Sequence, residues 1–137
     1  MNAAAGSRRA TLHWTARLAR PALWAMVGVV AWLSMSSVES LPPIRIWDKA
    51  AHLIAYAAIG GAAVLAYPAV RGGVVTCFAA TFGYGASIEL AQAFTAERTA
   101  SLLDVLANGI GAIVGVAAAW LVARWLVPQA ARPEPGD

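Results

Sequence analysis

The sequence predicts an all-α polytopic membrane protein, four transmembrane helices in a compact bundle with both termini cytoplasmic. Three observations carry that prediction. The 137 residues are 60% hydrophobic and 12% charged, where an average soluble domain has roughly 25% charged residues. The charges divide the chain into four uncharged runs of 18, 21, 17 and 19 residues, close to the about 20 apolar residues that cross a hydrocarbon core. No alternating pattern of a membrane strand appears, and lipid-facing open sheet edges are forbidden, so strands are set aside.

Residues 1–20 form a basic cytoplasmic N-terminal segment, with the first thirteen or so expected to be disordered. Ser7-Arg8-Arg9-Ala10-Thr11-Leu12 ahead of an apolar run is like a twin-arginine export signal. No small-x-small cleavage context follows promptly, however, and three more spans come after it. The arginines are therefore read as an orientation signal. The first span covers about 21–38, between Arg20 and Glu39. Pro42-Pro43 then stiffens a loop. The second span covers about 50–68, and Tyr67-Pro68 with Gly72-Gly73 marks a short turn. The third covers about 73–95, which requires Glu89 to lie inside it. The fourth covers about 102–124. Residues 21–127 thus form one four-helix domain, and the proline-rich 128–137, "PQAARPEPGD", is expected to be a disordered cytoplasmic tail.

Lys and Arg favour the cytoplasmic side. With four spans, Arg8, Arg9, Arg17, Arg20, Arg71, Arg124 and Arg132 share one side, seven of the ten basic residues. Arg45, Lys49 and Arg98 share the other, so the loops around 39–49 and 95–101 face outward. The net charge of +3 then reflects topology, and no aromatic-interleaved basic patch points to nucleic acid. Several of Trp14, Trp24, Trp32, Trp47, Trp120 and Trp125 fall near span ends, as interface belts do. Cys77, the single cysteine, is read as a small packing residue.

Polar residues inside the spans converge. Asp48, His52 and Tyr56 are four apart and line one face of the second helix. Glu89 and Gln92 lie near the outer end of the third. Ser101, Asp104 and Asn108 follow 3–4 spacing down the outer end of the fourth, and Gly111 and Gly115 continue that face. At 1.5 Å per residue, Glu89 and Asn108 both sit about 10 Å below the outer surface. A charge there is tolerated only facing the bundle.

"DKAAHLIAYAAIG" (48–60) and "SIELAQAFTAERTASLLDVLANGIGAIVG" (87–115) together resemble the VanZ-like family of small bacterial membrane proteins. The matching elements are D-K-x-x-H-x-x-x-Y, E-x-x-Q-x-F, R-x-x-S-x-x-D-x-x-x-N and the trailing glycines, across residues 48–115. The outer loop departs from the pattern: it reads Ala96-Glu97-Arg98, where family members often have a proline-glycine before the arginine. The resemblance implies a polytopic envelope protein, and the family's namesake is linked to reduced sensitivity to the glycopeptide teicoplanin. It carries over no catalytic role.

Each of these residues also has a structural reading. Asp48 suits a helix N-terminus. Ser101-x-x-Asp104 has the form of a capping box. Asn108 with Gly111 and Gly115, and Ala57 with Gly61, suit close helix packing. For Glu89 and Arg98 function is favoured over an ion-pair strut, because an ionisable residue inside a membrane is a functional candidate by default. His52 reads first as a hydrogen bonder. A metal would draw on His52, Glu89 and Asp104, but no H-E-x-x-H spacing is present, and no metal or cofactor is assigned. No activated serine is evident either, since Gly85-Ala86-Ser87 lacks the G-x-S-x-G context.

The sequence therefore supports a multi-pass protein of the bacterial inner membrane that binds an anionic lipid or lipid-linked envelope precursor. Lys49 and Arg98 would hold the anion, with His52, Glu89, Asp104 and Asn108 ordering an outward-facing polar pocket; Asp48, Tyr56, Gln92 and Ser101 complete the candidate cluster. A hydrolase acting on a lipid phosphate and a helical scaffold are the alternatives.

Overall fold

A computed structural model describes residues 3–36, 48–68, 70, 72–95 and 101–126. Arg98, Trp47, Arg45, Arg71, Pro42-Pro43, the outer loops, the 128–137 tail and the side chain of Asp48 lie outside the described residues. All regular structure within them is helical: α1 (Ala3–Met35), α2 (Asp48–Ala66), α3 (Gly73–Gln92) and α4 (Leu102–Leu126). Each contains a segment long and apolar enough to cross a membrane: Trp14–Met35, Lys49–Ala66, Gly73–Gln92 and Leu102–Trp125. Large apolar side chains such as Leu18, Trp32, Ile54, Val75, Leu103 and Ile113 point outward. In water such a surface would be an aggregation liability, whereas in a bilayer it faces the solvent it prefers.

One expectation fails. Residues 3–13, expected to be disordered, are helical; the helix begins at Ala3 and runs unbroken to Met35. Alanine, leucine and arginine, which dominate 3–20, are strong helix formers, and the first proline is Pro21. Pro21 sits inside the helix, where it removes one backbone bond to the carbonyl four residues earlier. Thirty-three residues span about 50 Å, well beyond a core of about 30 Å. The basic end of α1 is thus the surplus length.

Neighbouring helices run antiparallel, and α2 and α4 run parallel. Their contact is the closest in the bundle. A β-carbon built at Gly111 would collide with the Leu53 carbonyl, and one at Gly115 with the Ala57 carbonyl. One at Gly60 would come 3.0 Å from the Ala112 oxygen. Each glycine is the absence that lets one backbone lie on the other, the small-residue mode of membrane helix packing. Ala57 and Gly61 therefore face Gly115, as their spacing suggests.

On its other side α2 meets α1. Leu23, Ile59, Ala63, Ala66, Cys77 and Val116 form a buried apolar cluster with Val27 and Val30 packed against it. Cys77 is a free thiol within that cluster. Arg20 fastens the end of this seam: its Nε donates to the Ala66 carbonyl at 3.1 Å, and its guanidinium lies over the Tyr67 ring at 5.3 Å. That bond satisfies one of the carbonyls a helix C-terminus leaves open. The turn into α3 passes through Gly72 at φ 85, a left-handed conformation glycine adopts without strain.

Replacing Gly115 by leucine is expected to drive the side chain into the Ala57 backbone and destabilise the protein by at least about 2–3 kcal/mol. Gly28, with nothing within 4 Å of a β-carbon, should tolerate alanine without loss. Thermal unfolding in detergent checks both; equal stability of Gly115→Leu and Gly28→Ala would contradict the packing.

Candidate functional site

The α2–α4 contact fixes the depth at which polar residues meet. Lys49, His52 and Tyr56 come from the first turns of α2, Glu89 from the last turn of α3, Asp104 and Asn108 from the first turns of α4. They gather at one end of the bundle. Asn108 is 0% and Tyr56 1% exposed, the largest side chains so enclosed among the described residues. Room for both comes from Gly85 on α3, where a β-carbon would lie 2.8 Å from Tyr56 and 3.1 Å from Asn108.

His52 is held from α4. Its Nδ1 stands 2.9 Å from Asn108 Oδ1, so the tautomer protonated at Nδ1 donates to the amide oxygen. The same nitrogen is 3.8 Å from Glu89 Oε1. Tyr56 lies parallel to the imidazole with centroids 6.5 Å apart. Tyr84 packs next to Tyr56 at 5.9 Å and donates from its hydroxyl to the Val27 carbonyl at 2.7 Å. A row of three rings thus joins the polar cluster to α1.

The carboxylates exchange the roles their positions suggest. In a capping box Asp104 would reach back to the Ser101 amide. Instead Ser101 N–H donates to Glu89 Oε2 at 3.3 Å, and Asp104 forms an ion pair with Lys49. Ser101 still starts α4, since its carbonyl accepts from the amides of Asp104 and Val105. The N-terminus of α4 is therefore capped from α3, and Glu89 reaches it while only 3% exposed. Removing the intrahelical competitor leaves Asp104 available to α2.

Gln92 Nε2 donates to the Ser34 carbonyl at 3.0 Å, tying α3 to the end of α1. Ser87 is exposed and its hydroxyl turns back to the Tyr84 carbonyl. Four buried polar atoms in the layer have no hydrogen-bond partner: Tyr56 Oη, Glu89 Oε1, Asn108 Nδ2 and Asp104 Oδ1, the last being the atom that meets Lys49. Buried groups of this kind call for an explanation, because most find partners.

Sequence reasoning passed over Gly85, Tyr84 and Ser34. Gly85 precedes Glu89 by four residues, so helical spacing alone places both on one face. Ser34 carried no signal, since it contributes through its backbone. One ligand atom from each of His52, Glu89 and Asp104 lies within 4.8 Å of the others. Deeper in the bundle an apolar cavity of about 470 Å³ opens between α1, α2 and α3, with Leu23, Val27, Ile59, Ala63, Cys77 and Tyr84 in its walls. Tyr84 belongs to both features.

Comparison with known families bears on the whole of this arrangement. A model of the VanZ/LLP1 family matches residues 7–123, most of the chain, so the protein belongs to the VanZ/LLP1 family and is a multi-pass membrane protein. No curated protein and no solved structure matches it significantly.

Replacing Glu89 by alanine should release the first turn of α4, raising amide hydrogen exchange there by about tenfold for a lost contact near 1.4 kcal/mol. Glu89→Gln, which keeps an accepting oxygen, should restore most of the protection. Unchanged exchange in Glu89→Ala would show that Ser101 does not depend on Glu89.

Proposed function

We propose that this VanZ/LLP1 protein binds a phosphate-bearing amphiphile of the bacterial envelope, an anionic lipid or a lipid-linked precursor. The observation that carries the reading is the adjacency of an apolar cavity and a polar layer through a single shared wall, Tyr84. A lipid needs both environments at once: a chain among Leu23, Ile59 and Ala63, and a head group beside polar donors. Lys49, whose side chain keeps 22% of its surface exposed, is the ammonium placed to meet a phosphate. The guanidinium of Arg98 would add the planar fork that phosphate oxygens favour. The membrane is the inner membrane of a bacterium, with both termini cytoplasmic and the polar layer outward. That orientation rests on the arginine asymmetry. Reporter fusions at residues 45 and 98 should both read as external, and a cytoplasmic signal at either site would overturn the map.

A second reading has one observation in its favour. The imidazole of His52 beside the buried Glu89 carboxylate is an acid–base pair, the equipment for hydrolysing a lipid phosphate. It differs from pure binding in one readout: His52→Gln would keep lipid bound while turnover of a lipid-phosphate substrate is lost.

The protein purified in mild detergent and exchanged into bilayers should retain anionic phospholipid in preference to phosphatidylcholine. Ala80→Trp fills the cavity from its exposed side and should reduce retained lipid severalfold. Lys49→Met should remove the preference for anionic lipid. Equal retention of both lipid classes by the unaltered protein would sink the proposal. If Glu89→Ala and His52→Ala merely lower protein level, with lipid retention and teicoplanin sensitivity unchanged, the layer is a packing scaffold.

A further inference from the structure

We infer that His52, Glu89 and Asp104 form a binding site for a divalent transition-metal cation. One imidazole nitrogen and two carboxylate oxygens, drawn from three different helices, lie within 4.8 Å of one another. Donors on one such ion stand about 2.0–2.2 Å from it, hence roughly 3–4 Å apart. The 3.8 Å between His52 Nδ1 and Glu89 Oε1 is already in that range, and the widest pair needs side-chain movement on the order of 1 Å. Glu89 Oε1 gives the independent sign of a ligand. It is a buried carboxylate oxygen with no hydrogen-bond partner, on a residue 3% exposed, facing the imidazole.

The surroundings are those that hold metal ligands in place. The ring nitrogen nearest Glu89 Oε1 is Nδ1, so the ion would take the Nδ1 lone pair, the ring proton would sit on Nε2, and the contact of Nδ1 with Asn108 Oδ1 would give way to the ion. Glu89 is steadied through its second oxygen by the Ser101 amide, leaving Oε1 for the ion.

Charge favours the same conclusion. Two buried carboxylates sit together, and among the described residues the ammonium of Lys49 is the fixed positive charge in ion contact with them. Adjacent buried carboxylates repel one another, and a divalent ion between them would offset that repulsion. One nitrogen with two carboxylates suits zinc or manganese better than the all-oxygen sets of calcium and magnesium. Lys49 competes with the ion for Asp104, so ion binding would turn Lys49 outward. A phosphate reaching the layer would then meet both the cation and the Lys49 ammonium. This last point rests on the lipid reading, whereas the metal site does not.

The test uses the full chain in detergent, stripped with a chelator and titrated with Mn²⁺ alone, with the free ion followed by electron paramagnetic resonance. One Mn²⁺ per chain should bind and be displaced by Zn²⁺, and it should raise the thermal unfolding midpoint. Glu89→Gln, Asp104→Asn and His52→Gln should each weaken binding by at least about tenfold. Lys49→Met should bind as well as the unaltered chain or better. Absence of saturable binding by the unaltered chain up to about 1 mM, where binding energy falls to about 4 kcal/mol, overturns the site. So does full binding in folded Glu89→Gln and Asp104→Asn. Should those variants not fold, the midpoint shift and Zn²⁺ displacement in the unaltered chain decide. Mn²⁺ binding without any anionic-lipid preference would sink the lipid reading and leave the metal site standing.

Discussion

Everything at the polar end depends on how closely α2 and α4 approach. Lipid tails are as apolar as the side chains between helices, so membrane helices associate through close packing and polar contacts rather than through burial from water. Gly111 and Gly115 let α4 rest on the Leu53 and Ala57 carbonyls of α2. That contact sets the register in which Asn108 meets His52 and Asp104 meets Lys49. A helix rotated or slid by one residue would carry these pairs apart, so the glycines position the chemistry without touching it.

The register in turn makes the carboxylates tolerable. Glu89 is one of the least exposed residues described, yet it is not isolated. One oxygen closes the N-terminus of α4, where the partial positive charge of the helix favours an anion. The other faces His52. Because Glu89 serves α4 from outside, Asp104 is released to pair with Lys49 on α2. The result is a linked set drawn from three helices: Lys49 pairs with Asp104, and Glu89 caps α4 beside His52. Such networks rigidify when satisfied and are sensitive to the loss of any member.

Much of this was legible before any coordinates. Four apolar runs gave four helices, and 3–4 spacing gave the faces carrying His52, Tyr56, Glu89, Asp104 and Asn108. Those signals survive because a membrane helix exposes its polar residues as exceptions. What stayed hidden depends on partners outside the local segment. Ser101 and Asp104 have the spacing of a capping box, but spacing is silent on a carboxylate arriving from α3. Gln92 is buried on α3 like Glu89, and its amide reaches the Ser34 carbonyl of α1. The helical start at Ala3 was obscured by its arginines, whose charge suggested a solvated segment although their backbone propensity is helical.

The parallel seating of α4 on α2 also governs the order of assembly in the membrane. A ribosome delivers α2 and α3 before α4, so the tightest seam in the bundle cannot close until the last of these helices has been synthesised. Until then the carbonyls of Leu53 and Ala57 lack their glycine cover, and Lys49, His52 and Glu89 wait without Asp104 and Asn108. Until α4 arrives, the first three helices carry these groups without the contacts α4 supplies.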